Sequence, residues 1–230
     1  MRRLAAALLA CSLLAPAASA APRFAEAPAG APMPVAPRAE TFMEAPDAPV
    51  HAPSRALVMK ALARRRAANV ARFRAYRKAG SYPHNYETGT TRNVWRDVDG
   101  HLCAAATMID RSGQHELVGD IAENQTYVRL GEVTSGPLLD WILTSGLTQV
   151  EVATIQEPMM GPREPRQRDR SWQVAEDARL RKRYVRIEAA LAENRASALA
   201  QAADRLIESN PQLAWTLVGD ELGIGRAPRS

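Results

Sequence analysis

Eight of the chain's sixteen prolines fall between residues 21 and 53, interleaved with alanine. Proline fixes φ and withholds a backbone donor, so such a stretch cannot form a helix interior or a central sheet strand. The segment also holds few large apolar side chains to bury. It is expected to be an extended, disordered linker. Any packed core must therefore be assembled from residue 54 onward.

The residues ahead of the linker have a different character. Arg2 and Arg3 precede residues 4–14, which are apolar or small except for Ser12, and Ala18-Ser19-Ala20 follows. A charged start, a short apolar run and small residues before a cut are the three parts of a secretory signal. Residues 1–20 are thus expected to be a signal peptide, with the mature chain starting at Ala21. The apolar run is shorter than the roughly 20 residues a membrane-spanning helix needs. A competing reading takes Leu8-Leu9-Ala10-Cys11 as a lipoprotein cleavage box, which would anchor the protein through a lipid on Cys11. Both readings place the protein outside the cytoplasm, periplasmic or secreted.

Export gives the cysteines meaning. The chain has two, Cys11 and Cys103. With Cys11 inside the signal, Cys103 has no partner for an intramolecular disulfide. In an oxidising compartment a lone thiol is buried, liganding, reactive or paired with another chain. The formal charge of +5 falls to +3 without Arg2 and Arg3, too mild to imply a polyanionic partner by itself. Arginine far outnumbers lysine and alanine is abundant, a bias that points to a GC-rich bacterial genome.

Residues 54–160 are expected to form an α+β core domain, predominantly helical, in which a small β-hairpin packs with short helices. Residues 161–170, rich in Pro and Arg, read as a second linker, and residues 171–230 as a long C-terminal helical region. Ser54 caps a helix running to Lys78 and stopped by Gly80. Residues 93–98 and 101–109 flank Asp99-Gly100, a strong hairpin signal; the alanine run at 104–106 offers a helix as the alternative. Short helices are expected at 114–123 and 136–145. Thr148-Gln-Val-Glu151 is a capping box opening another helix. In the tail, Leu180, Tyr184, Ile187 and Leu191 follow a three-four spacing, expected either in one long helix over 172–208 or in two joined near Asn194. Asn210-Pro211 starts a last helix through Leu222. The tail helix is expected to pair across a homodimer or to fold back on the core.

Three site readings follow. The first is nucleophilic. On a two-residue hairpin His101, Cys103 and Arg96 share one face, so Cys103 with His101 and His84 forms a candidate catalytic group, activated as in cysteine hydrolases. The second is metal: His84, His101, Cys103 and His115 are donors suited to zinc. The third is electrostatic. The first helix carries nine basic residues and no acidic one, which makes Arg64, Arg65, Arg66, Arg72 and Arg74 candidates for binding an anionic surface. Against each stands a plainer reading: a thiol packed as a small hydrophobe, histidines on turns, and a solvated helix face. Asp97-Val-Asp99-Gly100 lacks the rest of a calcium loop and reads as a turn. Asp110, His115 and Glu116 read as a helix start. Phosphate-loop, zinc-protease and serine-hydrolase motifs are absent, as is a specific nucleic-acid motif, and no cofactor is expected.

The function these features favour is a non-catalytic binding or structural module of the cell envelope. Its expected partner is an anionic membrane surface or an envelope protein. The alternative is a small Cys-dependent hydrolase or zinc-binding enzyme using the Cys103/His101 face.

Overall fold

The computed structural model describes residues 51–164 and 170–223. The expected signal peptide, Cys11, all but the last three residues of the first linker, half of the second linker and the final residues lie outside them. The elements in chain order are α1 (Arg55–Ala79), β1 (Thr91–Arg92), α2 (Ala104–Asp110), α3 (His115–Asn124), a 3-10 turn (Leu130–Glu132), α4 (Gly136–Thr144), α5 (Gln149–Ile155), β2 (Met159–Met160), α6 (Arg170–Glu193), α7 (Arg195–Ser209) and α8 (Pro211–Leu222). The class is predominantly helical α+β, as expected.

Helix α1 is the axis of the molecule. The Ser54 hydroxyl accepts from Leu57 N, and Gly80, at φ 69°, ends the helix by donating to the Tyr76 carbonyl, the left-handed stop that glycine adopts at little cost. Val58, Ala61, Leu62, Arg66, Asn69, Phe73 and Tyr76 are buried along it, at spacings of three and four that keep them on one face. The helix packs against α2, α6, α7 and α8. Its first half joins Leu143, Leu199, Ala202, Leu206, Leu217 and Val218 in one apolar cluster. Its second half, through Phe73 and Tyr76, joins Trp95, Ile109, Ile142, Ile155, Leu180 and Tyr184 in another.

The tail is part of this core. Leu180, Tyr184, Ile187 and Leu191 of α6 lie in the same cluster as α2 and α5, so 161–170 divides no two cores. Of the two expected arrangements the second holds: α6 and α7 are separate helices joined at Asn194. Helices α7 and α8 then fold back on α1, and their apolar residues are buried within the chain. Asn210 caps α8 with its side chain accepting from Leu213 N, and Pro211 takes the first helical position. The start of the described chain is tied to the same helix, because Trp215 Nε1 donates to the His51 carbonyl at 2.6 Å.

The expected hairpin is corrected. The two-stranded antiparallel ribbon pairs Thr91 with Met160 and Arg92 with Met159, so its strands come from opposite ends of the core sequence. Around Asp99-Gly100 only an isolated bridge remains, Arg96 to Leu102. Gly100 turns the chain at φ 84°, and Asp97 N donates to the His101 carbonyl, which leaves three residues in the loop rather than two. Residues 104–110 are helix α2 and not a strand. Alanine has the highest helix propensity, and Cys103 supplies the cap, its sulfur accepting from Ala106 N at 3.4 Å.

Two glycines mark where backbones meet too closely for a side chain. Gly146, at φ 77°, sits against the Leu62 carbonyl and the Arg66 amide of α1. Gly161 follows β2 against the Glu87 carbonyl. Both seat the 145–161 segment on its neighbours.

Candidate functional site

The structure separates the sequence-derived site residues into three places. Cys103 is fully buried. Burial pushes its thiol up to about 12, against the lowering effect of nearby backbone amides. That is the reverse of the lowered pKa an attacking thiolate needs. His115 lies on the surface with Nδ1 2.7 Å from Asp110. His84 and His101, in contrast, are brought together, and the residue that gathers them is Asp97.

The Asp97 carboxylate is fully buried and organises the loop around it. Its Oδ1 accepts from Asp99 N at 3.0 Å and His101 N at 2.8 Å, the local turn that Asp favours. Its Oδ2 accepts from His84 N at 3.0 Å and lies 3.3 Å from His101 Nδ1. His84 Nε2 reaches Asp177 of α6 at 3.1 Å. Around His84 stand Tyr86 and Trp172, three rings in near-perpendicular pairs with centroids 5.5–6.2 Å apart. Burial pushes the Tyr86 hydroxyl up to about 12, helped by its hydrogen bond to Asp99.

The ligand set proposed for zinc therefore does not assemble as a unit. Among the described residues, the Asp97, Asp99 and His101 ligand atoms lie within 4.8 Å of one another. Asp97 is already engaged by three backbone amides, so its placement is accounted for by the loop it holds. The hub was visible in the sequence only as an Asp two residues before Asp99-Gly100.

The five arginines of α1 are engaged inside the chain. Arg66 is buried and forms a two-bond fork with Glu151 at 2.8 and 2.6 Å. It also donates to the Gly146 and Leu191 carbonyls. Arg64 donates to the Glu221 carbonyl and Arg65 pairs with Glu221 and Asp220. Arg72 donates to Asn69 Oδ1 and the Arg111 carbonyl; burial lowers its pKa, and the charge of Arg65 adds to the effect. Arg74 and Arg77 converge on Glu188 at 2.5 and 2.8 Å. Burial would raise the Glu188 carboxyl, but the two guanidiniums outweigh it and hold the group below its ordinary value. These contacts tie α1 to α5, α6 and α8, while Arg64 and Arg74 remain exposed at the surface.

A groove of about 630 Å³ lies between the α4–α5 corner, the middle of α6 and helix α7. That volume lies in the range of about 300–1,000 Å³ usual for small-molecule sites. Leu143, Leu147, Ala153 and Ala202 supply apolar lining, and Val150 stands at its edge with 75 % of its surface exposed. The polar side chains there differ in what they already do. Gln149 donates to the Leu130 and Val133 carbonyls, and Thr154 to the Val150 carbonyl. Arg183 pairs with Glu157, which Arg179 also holds. Sequence reasoning did not find this groove, because its walls come from residues up to 74 positions apart and none forms a motif.

No family model, curated protein or solved structure matches this chain. Among the described residues, no helix is long and apolar enough to cross a membrane.

Proposed function

We propose that the chain is an exported, non-catalytic binding module of the bacterial cell envelope, and that it receives its ligand in the groove between α5 and α7. The groove carries the reading: apolar lining, an exposed valine at the edge and polar side chains mostly held by partners within the chain are features of a site that binds by burial. The N-terminal order of charge, apolar run and small residues supports export. The buried, unactivated Cys103 and the structurally engaged Asp97 favour binding over nucleophilic or metal chemistry.

The test has two parts. Cell fractionation should find the chain in the periplasm or the medium. A photo-crosslinking residue at Val150 should give discrete adducts in living cells, whereas one at Val185, exposed on α6, should give none above background. A cytoplasmic protein, or equal labelling at both positions, defeats the proposal.

A further inference from the structure

We infer that the groove accepts a single-chain amphiphile with one carboxylate head, a fatty acid, and that Arg205 holds the head. This rests on the binding-module reading above and names its ligand.

Most polar side chains around the groove already have partners. Gln149, Thr154, Arg183 and Glu157 are committed to partners within the chain. Arg205 and Gln201 also line the groove, four residues apart on α7, a spacing that places them side by side on one helix face. Neither side chain has a hydrogen bond or ion pair among the described residues. The contrast with α1 is sharp, since the five candidate arginines there are all engaged. Arg205, a half-buried residue beside apolar surface and without an acid partner, is the group that a mono-anionic ligand would complete, with the exposed Gln201 next to it.

The chemistry of the head follows from the donors. One guanidinium offers a planar fork of parallel N–H groups that matches a carboxylate in two bonds, and the Gln201 carboxamide adds a neutral donor. A phosphate dianion would call for more than one free cation, whereas Arg183, the other cation of the groove lining, is already paired with Glu157. The chemistry of the tail follows from the lining: Leu143, Leu147 and Ala202 can remove an alkyl chain from water, the term that drives such binding.

The experiment titrates the full chain by calorimetry with dodecanoate below its micelle-forming concentration and with dodecanol below its solubility limit. We expect dodecanoate to bind about tenfold more tightly than dodecanol, the scale of one charge-assisted contact. Arg205→Gln should erase that preference and Arg205→Lys should keep part of it, with the fold of each variant checked by circular dichroism. Val150→Asp should weaken both ligands. Equal binding of the acid and the alcohol, unchanged by Arg205→Gln, overturns the head-group assignment while leaving the groove in use. If neither ligand binds but the Val150 crosslinks persist as protein adducts, the inference is overturned and the binding-module reading stands. If neither ligand binds and the crosslinks are also missing, both fall.

Discussion

Arg66 of α1 and Glu151 of α5 meet in a two-bond fork at the centre of the molecule, 85 residues apart in sequence. Glu151 does a second task there: its carboxylate accepts from Thr148 N while the Thr148 hydroxyl accepts from Glu151 N, completing the capping box of α5. One carboxylate thus fixes both the start of a helix and a buried charge on another.

The two partners are therefore unequal under mutation. Glu151→Ala leaves a buried guanidinium without its acid and should cost about 3–5 kcal/mol. Arg66→Met replaces the charge with an apolar group of similar reach and leaves Glu151 its contact with Thr148; it should cost less. Urea unfolding of both variants checks the order, and equal midpoints would contradict it.

Stability should fall at alkaline pH in a way that traces to Cys103. Its thiol has an ordinary value of 9.0 and is pushed up to about 12 in the folded chain. Between these values the unfolded chain loses the proton and the folded chain keeps it, so stability is full below pH 9 and declines as pH rises toward 12. At about 1.4 kcal/mol per unit, the loss is on the order of 4 kcal/mol. Cys103→Ala should delay the onset of the loss from near pH 9 to near pH 10, where the buried Tyr76 and Tyr184 hydroxyls, also raised by burial, take it up. The same burial predicts that native Cys103 reacts with a thiol reagent at pH 8 orders of magnitude more slowly than the denatured chain.

Two left-handed glycines provide a matched pair. A Cβ at Gly223, φ 66°, would meet nothing within 4 Å, whereas one at Gly146, φ 77°, would meet the α1 backbone. Gly223→Ala should cost only the about 1–2 kcal/mol of the left-handed conformation. Gly146→Ala should cost clearly more, because α1 has to move. Thermal unfolding of the two variants separates the contributions.

The charges of α1 yield a prediction about surfaces. Replacing Arg64, Arg65 and Arg74 together by Gln should leave co-sedimentation with anionic vesicles unchanged at low salt, since these side chains are occupied by Glu221, Asp220 and Glu188. A drop in sedimented protein would return the first helix to the list of binding faces.

What the sequence revealed was local. Ser54, Gly80, the Thr148–Glu151 box and Asn210-Pro211 are signals in which a few neighbouring residues set a helix end, and each marks the end it was read to mark. The hairpin failed where two local signals competed. The Asp99-Gly100 turn is real, but the alanines after it prefer a helix, and periodicity over so few residues does not decide between them. The rest depends on distance. Nothing near Arg66 in the sequence shows that a residue 85 positions away will take it into the core. Arg205 likewise resembles any other arginine until the committed side chains around it are known.

The central position of α1 also sets the order in which the fold can be completed. Arg66 waits for a carbonyl 125 residues further on, and Arg55 for Asp204, 149 residues further on. Contacts so distant in sequence close slowly, because the loop entropy must be met before they form. Until they close, the nine basic residues of the α1 segment lack the acids that pair with several of them in the fold, and repulsion between copies of that charge opposes their association. The arginines that later lock α1 into the finished protein would thus first keep the unfinished one from aggregating.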